Sequence, residues 1–211
     1  MNSIKWTLCL ALLLIVPDAA SVRAQSDETE GTVASASAAE SQKQLASRDP
    51  LLRQRAAEDL ARLADPANRK LLEGYRLQEK NARVRLALDW ALYRIGKSQV
   101  LVEIVRALDS QRADQANAYL TTLESPDPLY LFLERMNGNT QVKLLEVLAK
   151  VGDAGTLVKI QAYRESPDPK IAEAVQLASH EIEQRIEQTP PDAPANTSTR
   201  PRQVGIPESA P

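Results

Sequence analysis

The chain is poor in the residues that most metal sites and covalent catalysts need. Its 211 residues include one cysteine, Cys9, and one histidine, His180. One cysteine excludes an internal disulfide, and zinc or non-haem iron sites normally use several imidazole or thiolate ligands. Motifs of the types Gly-x-Gly, His-Glu-x-x-His and Gly-x-Ser-x-Gly do not occur. We therefore expect no metal, no cofactor and no catalytic residue, and His180 is interpreted as a surface side chain.

Neither sign of charge is in excess. The chain has 26 basic and 28 acidic residues, and the two signs are interspersed along it. Nucleic-acid-binding proteins usually carry a basic stripe, and membrane-surface binders a basic cluster. The composition therefore predicts neither a nucleic acid nor an anionic membrane surface as partner.

The first 24 residues have the pattern of a secretory signal peptide. Lys5 gives a positive start, an apolar run follows at 8–16, and Val22-Arg23-Ala24 has the small-x-small pattern of a cleavage site. The run is too short to span a bilayer as a helix. We expect cleavage after Ala24, a periplasmic or secreted protein, and no stable membrane insertion afterwards. An uncleaved N-terminal anchor is the alternative.

Two segments lack the large apolar side chains that a core requires. Residues 25–48 are rich in Ser, Ala, Glu and Gln, which predicts a flexible spacer, and its alanine-rich end could form a helix from about Ala34. Residues 188–211 contain six of the 13 prolines, which predicts a disordered tail. The folded domain is therefore expected at 49–187.

A helix pattern recurs through this domain at intervals near 30 residues. Its clearest copy has apolar side chains at Leu52, Ala56, Leu60 and Leu63, which share one helix face. Shifts of 32, 28, 28 and 31 residues place the four positions on Val84, Leu88, Leu92 and Ile95, on Arg112, Ala116, Leu120 and Leu123, on Thr140, Leu144, Leu148 and Val151, and on Ile171, Val175, Ser179 and Ile182. The second and fourth of these shifted copies are degenerate. Such a period is typical of a stacked repeat, which usually offers a binding surface.

Turn residues divide the domain into short helices. Asp-Pro pairs begin at 49, 65, 127 and 168, where Asp can cap a helix and Pro suits its first turn. Gly96, Gly138 and Gly152 follow periodic stretches and are interpreted as C-terminal stops. Short connections predict antiparallel neighbours. The expected helices are at 50–64, 66–78, 82–95, 97–108, 111–124, 127–136, 139–151, 154–165 and 168–187.

The two best copies carry a family resemblance. Residues 49–65 read DPLLRQRAAEDLARLAD and residues 84–96 read VRLALDWALYRIG. They resemble HEAT-like repeats, most nearly the short variety of the phycobilin-lyase-type proteins. The resemblance implies an all-α, right-handed α-solenoid of about nine antiparallel helices in four to five repeats. It also implies that the second helix of each pair lines a concave face, and that Arg53 and Arg85 bond to neighbouring turns.

Candidate binding residues lie on the helices that this resemblance places on the concave face. In the helix at 82–95, Leu86, Trp90 and Tyr93 add a second apolar stripe, and we favour its packing in the core. An exposed aromatic anchor in a groove shared with Tyr119 is the alternative. The charged residues, including Asp89 and Glu146, are mostly interpreted as a solvated face with i,i+3 and i,i+4 pairs. The groove candidates are Trp90, Tyr93, Arg94, Tyr119, Lys143 and Lys150.

Three functions are compatible with these observations. The favoured one is an exported, non-enzymatic module that binds a protein or peptide of the cell envelope in a solenoid groove. A lyase-like HEAT-repeat enzyme or small-molecule binder would need a deep pocket near Trp90 and Tyr119 with a buried carboxylate. A structural spacer of the cell envelope would need no concentrated aromatic or charged patch.

Overall fold

The computed structural model describes residues 36–188. The expected signal peptide at 1–24, the spacer up to residue 35 and the tail from residue 189 lie outside the described residues. Residues 36–188 form ten helices and no strand, which confirms the all-α class. None of these helices is long and apolar enough to cross a membrane. The chain divides into two compact units between Gly96 and Lys97.

The first unit contains four helices and one 3-10 turn. They are α1 (36–44), α2 (Pro50–Leu63), the turn Pro66–Asn68, α3 (Arg69–Gln78) and α4 (Ala82–Arg94). Helix α4 packs mainly against α2 and also against α3. The fully buried leucines of this unit include Leu60 on α2, Leu72 on α3 and Leu92 on α4. The core of the unit therefore lies around α4.

The second unit contains six helices and two 3-10 turns. They are the turn Ser98–Val100, α5 (Leu101–Ala107), α6 (Ala113–Leu120), α7 (Asp127–Arg135), α8 (Gly138–Val151), α9 (Ala154–Ile160), the turn Gln161–Tyr163 and α10 (Pro169–Gln188). Helix α8 packs mainly against α10 and also against α7 and α5, while α6 packs against α5. Helix α8 therefore has the central place in this unit that α4 has in the first.

Each of the nine predicted helices has a counterpart, but several are shorter than predicted. The largest difference is the helix predicted at 111–124, which is only Ala113–Leu120. Its ends are terminated by hydroxyl groups that bond to the backbone: Ser110 Oγ donates to the Ala107 carbonyl (2.7 Å), and Thr122 Oγ1 donates to that of Tyr119 (2.7 Å). Such local bonds offer the backbone an alternative to helix.

Three of the four Asp-Pro pairs begin helical segments as predicted. The carboxylates of Asp49, Asp65 and Asp168 each accept a hydrogen bond from the backbone amide two residues later, at 2.9, 2.9 and 3.0 Å. Asp127 instead lies inside its helix, and Ser125 Oγ accepts from its amide (3.2 Å). Asp-Pro therefore identifies three of these starts and misplaces the fourth by one residue.

The glycines interpreted as helix stops act in different ways. Gly96, after α4, has φ +94°, a conformation that glycine adopts without a Cβ clash. Gly138 does not end a helix but begins α8, with φ +55°. Gly152 ends α8 with φ −67°, and its role is close packing: a Cβ there would lie 2.5 Å from the Leu148 carbonyl oxygen and 2.8 Å from Ile182 Cδ1.

The inner two positions of every repeat copy are buried. Their exposed fractions are 5% or less. They are Ala56 and Leu60, Leu88 and Leu92, Ala116 and Leu120, Leu144 and Leu148, and Val175 and Ser179. The outer positions are more variable, since Leu52 is 37% exposed whereas Val84 is 1% exposed. The pattern therefore located the core-facing stripe even in the degenerate copies.

Packing begins before the predicted domain boundary at residue 49. Residues 36–48 fall within the expected spacer, yet 36–44 are helical and Leu45 is 1% exposed. Ser41 is also buried, and Gln42 Nε2 donates to Asn68 Oδ1 (2.7 Å). The structure thus differs from the spacer expectation here, because one leucine and two polar contacts dock a segment whose composition is otherwise polar.

Hydrogen bonds across the same sequence interval recur in both units. Four side chains bond to a group 26 residues away: Gln42 to Asn68, Arg53 to Glu79, Arg69 to Ile95, and Tyr130 to Thr156. The interval is close to the period of the apolar pattern. These bonds therefore link corresponding parts of successive repeat copies.

Arg53 makes the most extensive of these links. Its Nε and Nη2 donate to the two carboxylate oxygens of Glu79 (2.7 and 3.0 Å), and its Nη1 donates to the carbonyls of Ser47 and Arg48 (2.9 and 3.1 Å). The hydrogen bond from Arg53 and that from the Asn81 amide lower the pKa of Glu79, against the effect of burial. Bonding of Arg53 to neighbouring turns is confirmed, whereas Arg85 is exposed.

We predict that two glycine substitutions have opposite effects on stability. Gly74→Ala should raise the free energy of unfolding by about 1 kcal/mol, because Gly74 is inside α3 and an added Cβ meets nothing within 4 Å. Gly152→Ala should lower it by about 2 kcal/mol through overpacking. Urea denaturation of both variants measures the difference, and a stabilising Gly152→Ala would contradict the packing described for α8 and α10.

We predict that Glu79→Gln lowers the free energy of unfolding by about 2 kcal/mol at pH 7, because it removes a charged hydrogen-bond partner of Arg53. The folded pKa of Glu79 is below its ordinary value of 4.5. Its stabilising contribution is therefore complete above pH 4.5 and is lost as the pH falls through the folded pKa.

Urea denaturation at pH 7 and at successively lower pH values below 4.5 measures this effect. The difference between wild type and Glu79→Gln should narrow as the pH falls. Glu40→Gln, at an exposed position of the same unit, is the control and should show no comparable loss at pH 7. A Glu79→Gln effect no larger than that of Glu40→Gln would contradict a stabilising Arg53–Glu79 pair.

Candidate functional site

Helix α4 holds three of the six groove candidates, and it is buried on more than one face. Its buried residues are Val84, Leu86, Ala87, Leu88, Asp89, Trp90, Ala91 and Leu92. An unbroken run of this kind cannot lie on one stripe of a helix, since successive residues are about 100° apart. Both predicted apolar stripes are therefore packed, as the favoured interpretation expected.

Trp90, Tyr93 and Arg94 come together at the end of α4. The rings of Trp90 and Tyr93 stack with their centroids 5.5 Å apart, and the Arg94 guanidinium lies 5.9 Å from the centroid of Trp90. Trp90 is only 7% exposed, while Tyr93 and Arg94 are half-buried. Burial raises the pKa of the Tyr93 phenol, and the charge of Arg94 opposes this. Trp90 is thus a core side chain in this structure and not an exposed anchor, because its ring is covered.

A buried carboxylate lies next to Trp90 in α4. Asp89 is 3% exposed, and its Oδ1 accepts a hydrogen bond from Arg76 Nε (2.5 Å). The expectation that the charged residues of this helix form a solvated face is therefore wrong for Asp89. A sequence signal existed, since Asp89 lies between two apolar residues of a helix that is apolar on several sides, and a carboxylate there needs a partner.

In the second unit, two more candidates lie around one cavity. Lys143 and Lys150, two turns apart on α8, help to line a hollow of about 120 Å³ that α6 also borders. The remaining lining residues are Leu108, Ala113, Asp114, Asn117 and Glu146. Leu108 is buried, and the charged and amide side chains are half-buried or exposed. The cavity therefore combines an apolar wall with both signs of charge.

The charges of this cavity differ in how they are engaged. Lys143 Nζ lies 3.0 and 2.9 Å from the two carboxylate oxygens of Glu146, which is the i,i+3 pairing expected on a helix face. Both side chains are about two-fifths exposed, so this pair contributes little to stability. Lys150 and Asp114 have no ion-pair partner among residues 36–188. These two charges are available to a bound group.

Tyr119 is buried, although it is on the same helix as two cavity residues. It is 8% exposed, and its hydroxyl accepts a hydrogen bond from Gln115 Nε2 (2.7 Å). Tyr119 does not line the cavity, whereas Asp114 and Asn117 of α6 do. The sequence analysis did not single out these two, because short polar side chains near a helix start are usually read as capping residues.

His180 and the acidic residues form no metal centre in the described part of the chain. His180 is exposed on α10, with its Nε2 2.9 Å from Gln184 Nε2. Within residues 36–188, no group of three or more His, Cys, Asp or Glu side chains is placed to hold a metal ion.

Comparison with known proteins gives no relative that could assign these sites. No model of a protein family matches the chain, and no curated protein matches it.

We predict that Trp90→Ala lowers the free energy of unfolding by about 3 kcal/mol, because it removes a large buried ring from the core of the first unit. Leu77→Ala is the control: Leu77 is as apolar but 81% exposed, and its loss should cost less than about 0.5 kcal/mol. Thermal or urea denaturation measures both. Similar, small effects for the two variants would restore Trp90 as a surface anchor.

Proposed function

We propose that the chain is an exported, non-enzymatic interaction module built as a right-handed α-solenoid of four to five HEAT-like repeats, with antiparallel neighbouring helices. Two observations support this architecture. The inner positions of all five pattern copies are buried, including those of the degenerate copies. Four hydrogen bonds also join groups 26 residues apart. A repeat stack would produce both features, because each copy makes its main contacts with the next one.

We propose further that the binding surface includes the cavity between α6 and α8, and this cavity is the observation that carries the function. It lies on two helices that the resemblance places on the concave face. Its volume of about 120 Å³ is below the roughly 300–1,000 Å³ of most small-molecule sites. A space of this size accepts one side chain of a larger partner. This favours a protein or peptide over a cofactor or chromophore.

The charges indicate which side chains of a partner suit the cavity. Lys150 offers a positive group and Asp114 a negative one, and Leu108 supplies an apolar wall. A polar side chain with an apolar stem can contact all three. Complementary charges at such a site would mainly set specificity and the rate of association.

The proposed location of this binding is the periplasm or the exterior of the cell. It rests on the signal-peptide pattern of residues 1–24, with its apolar run and its Val22-Arg23-Ala24 cleavage pattern. The partner would accordingly be a protein or peptide of the cell envelope.

A lyase-like activity is less well supported by the described contacts. A catalytic acid or base must reach its substrate. The buried carboxylate of Asp89 is bonded to Arg76, and neither residue lines the α6–α8 cavity. A pure spacer is also less well supported, because it gives no reason for unpaired charges to gather at a cavity.

We predict that a photo-crosslinking side chain at Asn117 captures one dominant envelope protein. The full chain would carry benzoylphenylalanine at position 117, and cross-linked products would be identified by mass spectrometry. Lys150→Glu should lower the yield about tenfold, because reversing one charge at a small polar site removes an attraction and adds a repulsion. The exposed Lys150 is not part of the core, so the variant should unfold at the wild-type urea concentration.

Two controls make this result specific. Lys170→Glu changes the same charge at another exposed position of the second unit and should leave the yield unchanged. Benzoylphenylalanine at position 170 should not capture the protein. Equal capture from positions 117 and 170, or no dominant product, would contradict a binding role for the α6–α8 cavity.

A further inference from the structure

A second and larger cavity lies in the first unit, where the ends of α1 and α3 meet the start of α2. Its volume is about 320 Å³, within the range of small-molecule sites. It is lined by Leu45, Ala46, Ser47, Arg53, Tyr75, Gln78, Glu79 and Lys80. None of these residues belongs to the proposed partner surface. The cavity therefore calls for its own assignment.

The charged pair inside this cavity is already satisfied. Both carboxylate oxygens of Glu79 accept from Arg53, and Oε1 also accepts from the Asn81 amide (2.8 Å). Arg53 spends its Nη1 on the carbonyls of Ser47 and Arg48. The side chains of Arg53 and Glu79 are only 18% and 7% exposed. This pair forms a neutral, pre-bonded wall and leaves no unbonded carboxylate oxygen in the cavity.

The groups that remain at the cavity are hydrogen-bond donors and one positive charge. Lys80 is exposed and has no ion-pair partner among residues 36–188. The hydroxyl of Tyr75 and the side-chain amide of Gln78 make no hydrogen bond within the same residues. Leu45 and Ala46 supply apolar wall. A ligand here meets donors and a cation on one side and apolar surface on the other.

We propose that this cavity binds an apolar carboxylate: a ligand whose carboxylate is held by Lys80 and the Tyr75 hydroxyl and whose apolar body lies against Leu45 and Ala46. A carboxylate accepts hydrogen bonds and carries a negative charge, so it matches the donors that the cavity leaves unused. The same chemistry is found in a small free acid and at the C-terminus of a peptide. The assignment is independent of the proposed partner surface on α6 and α8.

The test uses 3-phenylpropionate as the small acid and 3-phenylpropanamide as its neutral match. Titration of the full ¹⁵N-labelled chain, followed by amide chemical shifts, should show weak, saturable binding of the acid. The shifts should concentrate at residues 45–47 and 78–80. The amide should bind at least tenfold more weakly, because it lacks the negative charge. Equal binding of acid and amide, or shifts spread evenly over the chain, would overturn the proposal.

Variants then assign the binding groups. Lys80→Gln should weaken binding of the acid about tenfold, in line with the loss of one charge-assisted hydrogen bond. Tyr75→Phe, which removes only the hydroxyl, should weaken it by a smaller factor. Lys70→Gln, at an exposed position of the same unit outside the cavity lining, is the matched control and should have no effect. An equal effect of Lys70→Gln would overturn the site.

One further titration separates the two sources of the carboxylate. The peptide Gly-Gly-Gly-Phe offers the same ring and carboxylate at the end of a chain. Stronger binding of this peptide than of 3-phenylpropionate supports a protein C-terminus as the natural ligand, and weaker binding supports a free acid. Failure of both to bind would overturn the cavity assignment, while crosslinking from Asn117 would be unaffected.

Discussion

Each helix of this chain is too short and too narrow in its apolar stripe to be stable alone, so it depends on burial against a helix about one repeat away. Helix α2 packs chiefly on α4, and α8 chiefly on α10. The inner side chains of those contacts, such as Leu60 and Leu148, have no measurable exposure. The arginine, glutamine and tyrosine links between copies and the close approach at Gly152 follow from this arrangement, and both cavities lie where helix ends leave space around it.

Most of the helical architecture could be predicted from apolar spacing and turn residues. The core stripe was found because a period of 3.6 residues survives even where a copy has lost its outer positions, as at Arg112. Helix ends were less predictable. The shortening of α6 depends on hydroxyl bonds from Ser110 and Thr122, and the docking of α1 depends on Leu45, whose value shows only when its neighbours are known.

The candidate site was predicted in part. Lys143 and Lys150 do line a cavity, because their separation on α8 is two helical turns. Trp90 and Tyr119 are buried, because an aromatic stripe on a helix with neighbours on several sides packs more readily than it faces water. Spacing alone could not show the cavity in the first unit. Its polar character depends on which groups Arg53 and Glu79 have already engaged.

The most direct test of the proposed continuous solenoid is ¹⁵N relaxation of the backbone amides in residues 36–96 and 97–188 of the full chain. One repeat stack with shared packing predicts that both units tumble together, with one correlation time and one diffusion tensor. Two distinct and shorter correlation times would show that the units move independently, which would contradict a single solenoid.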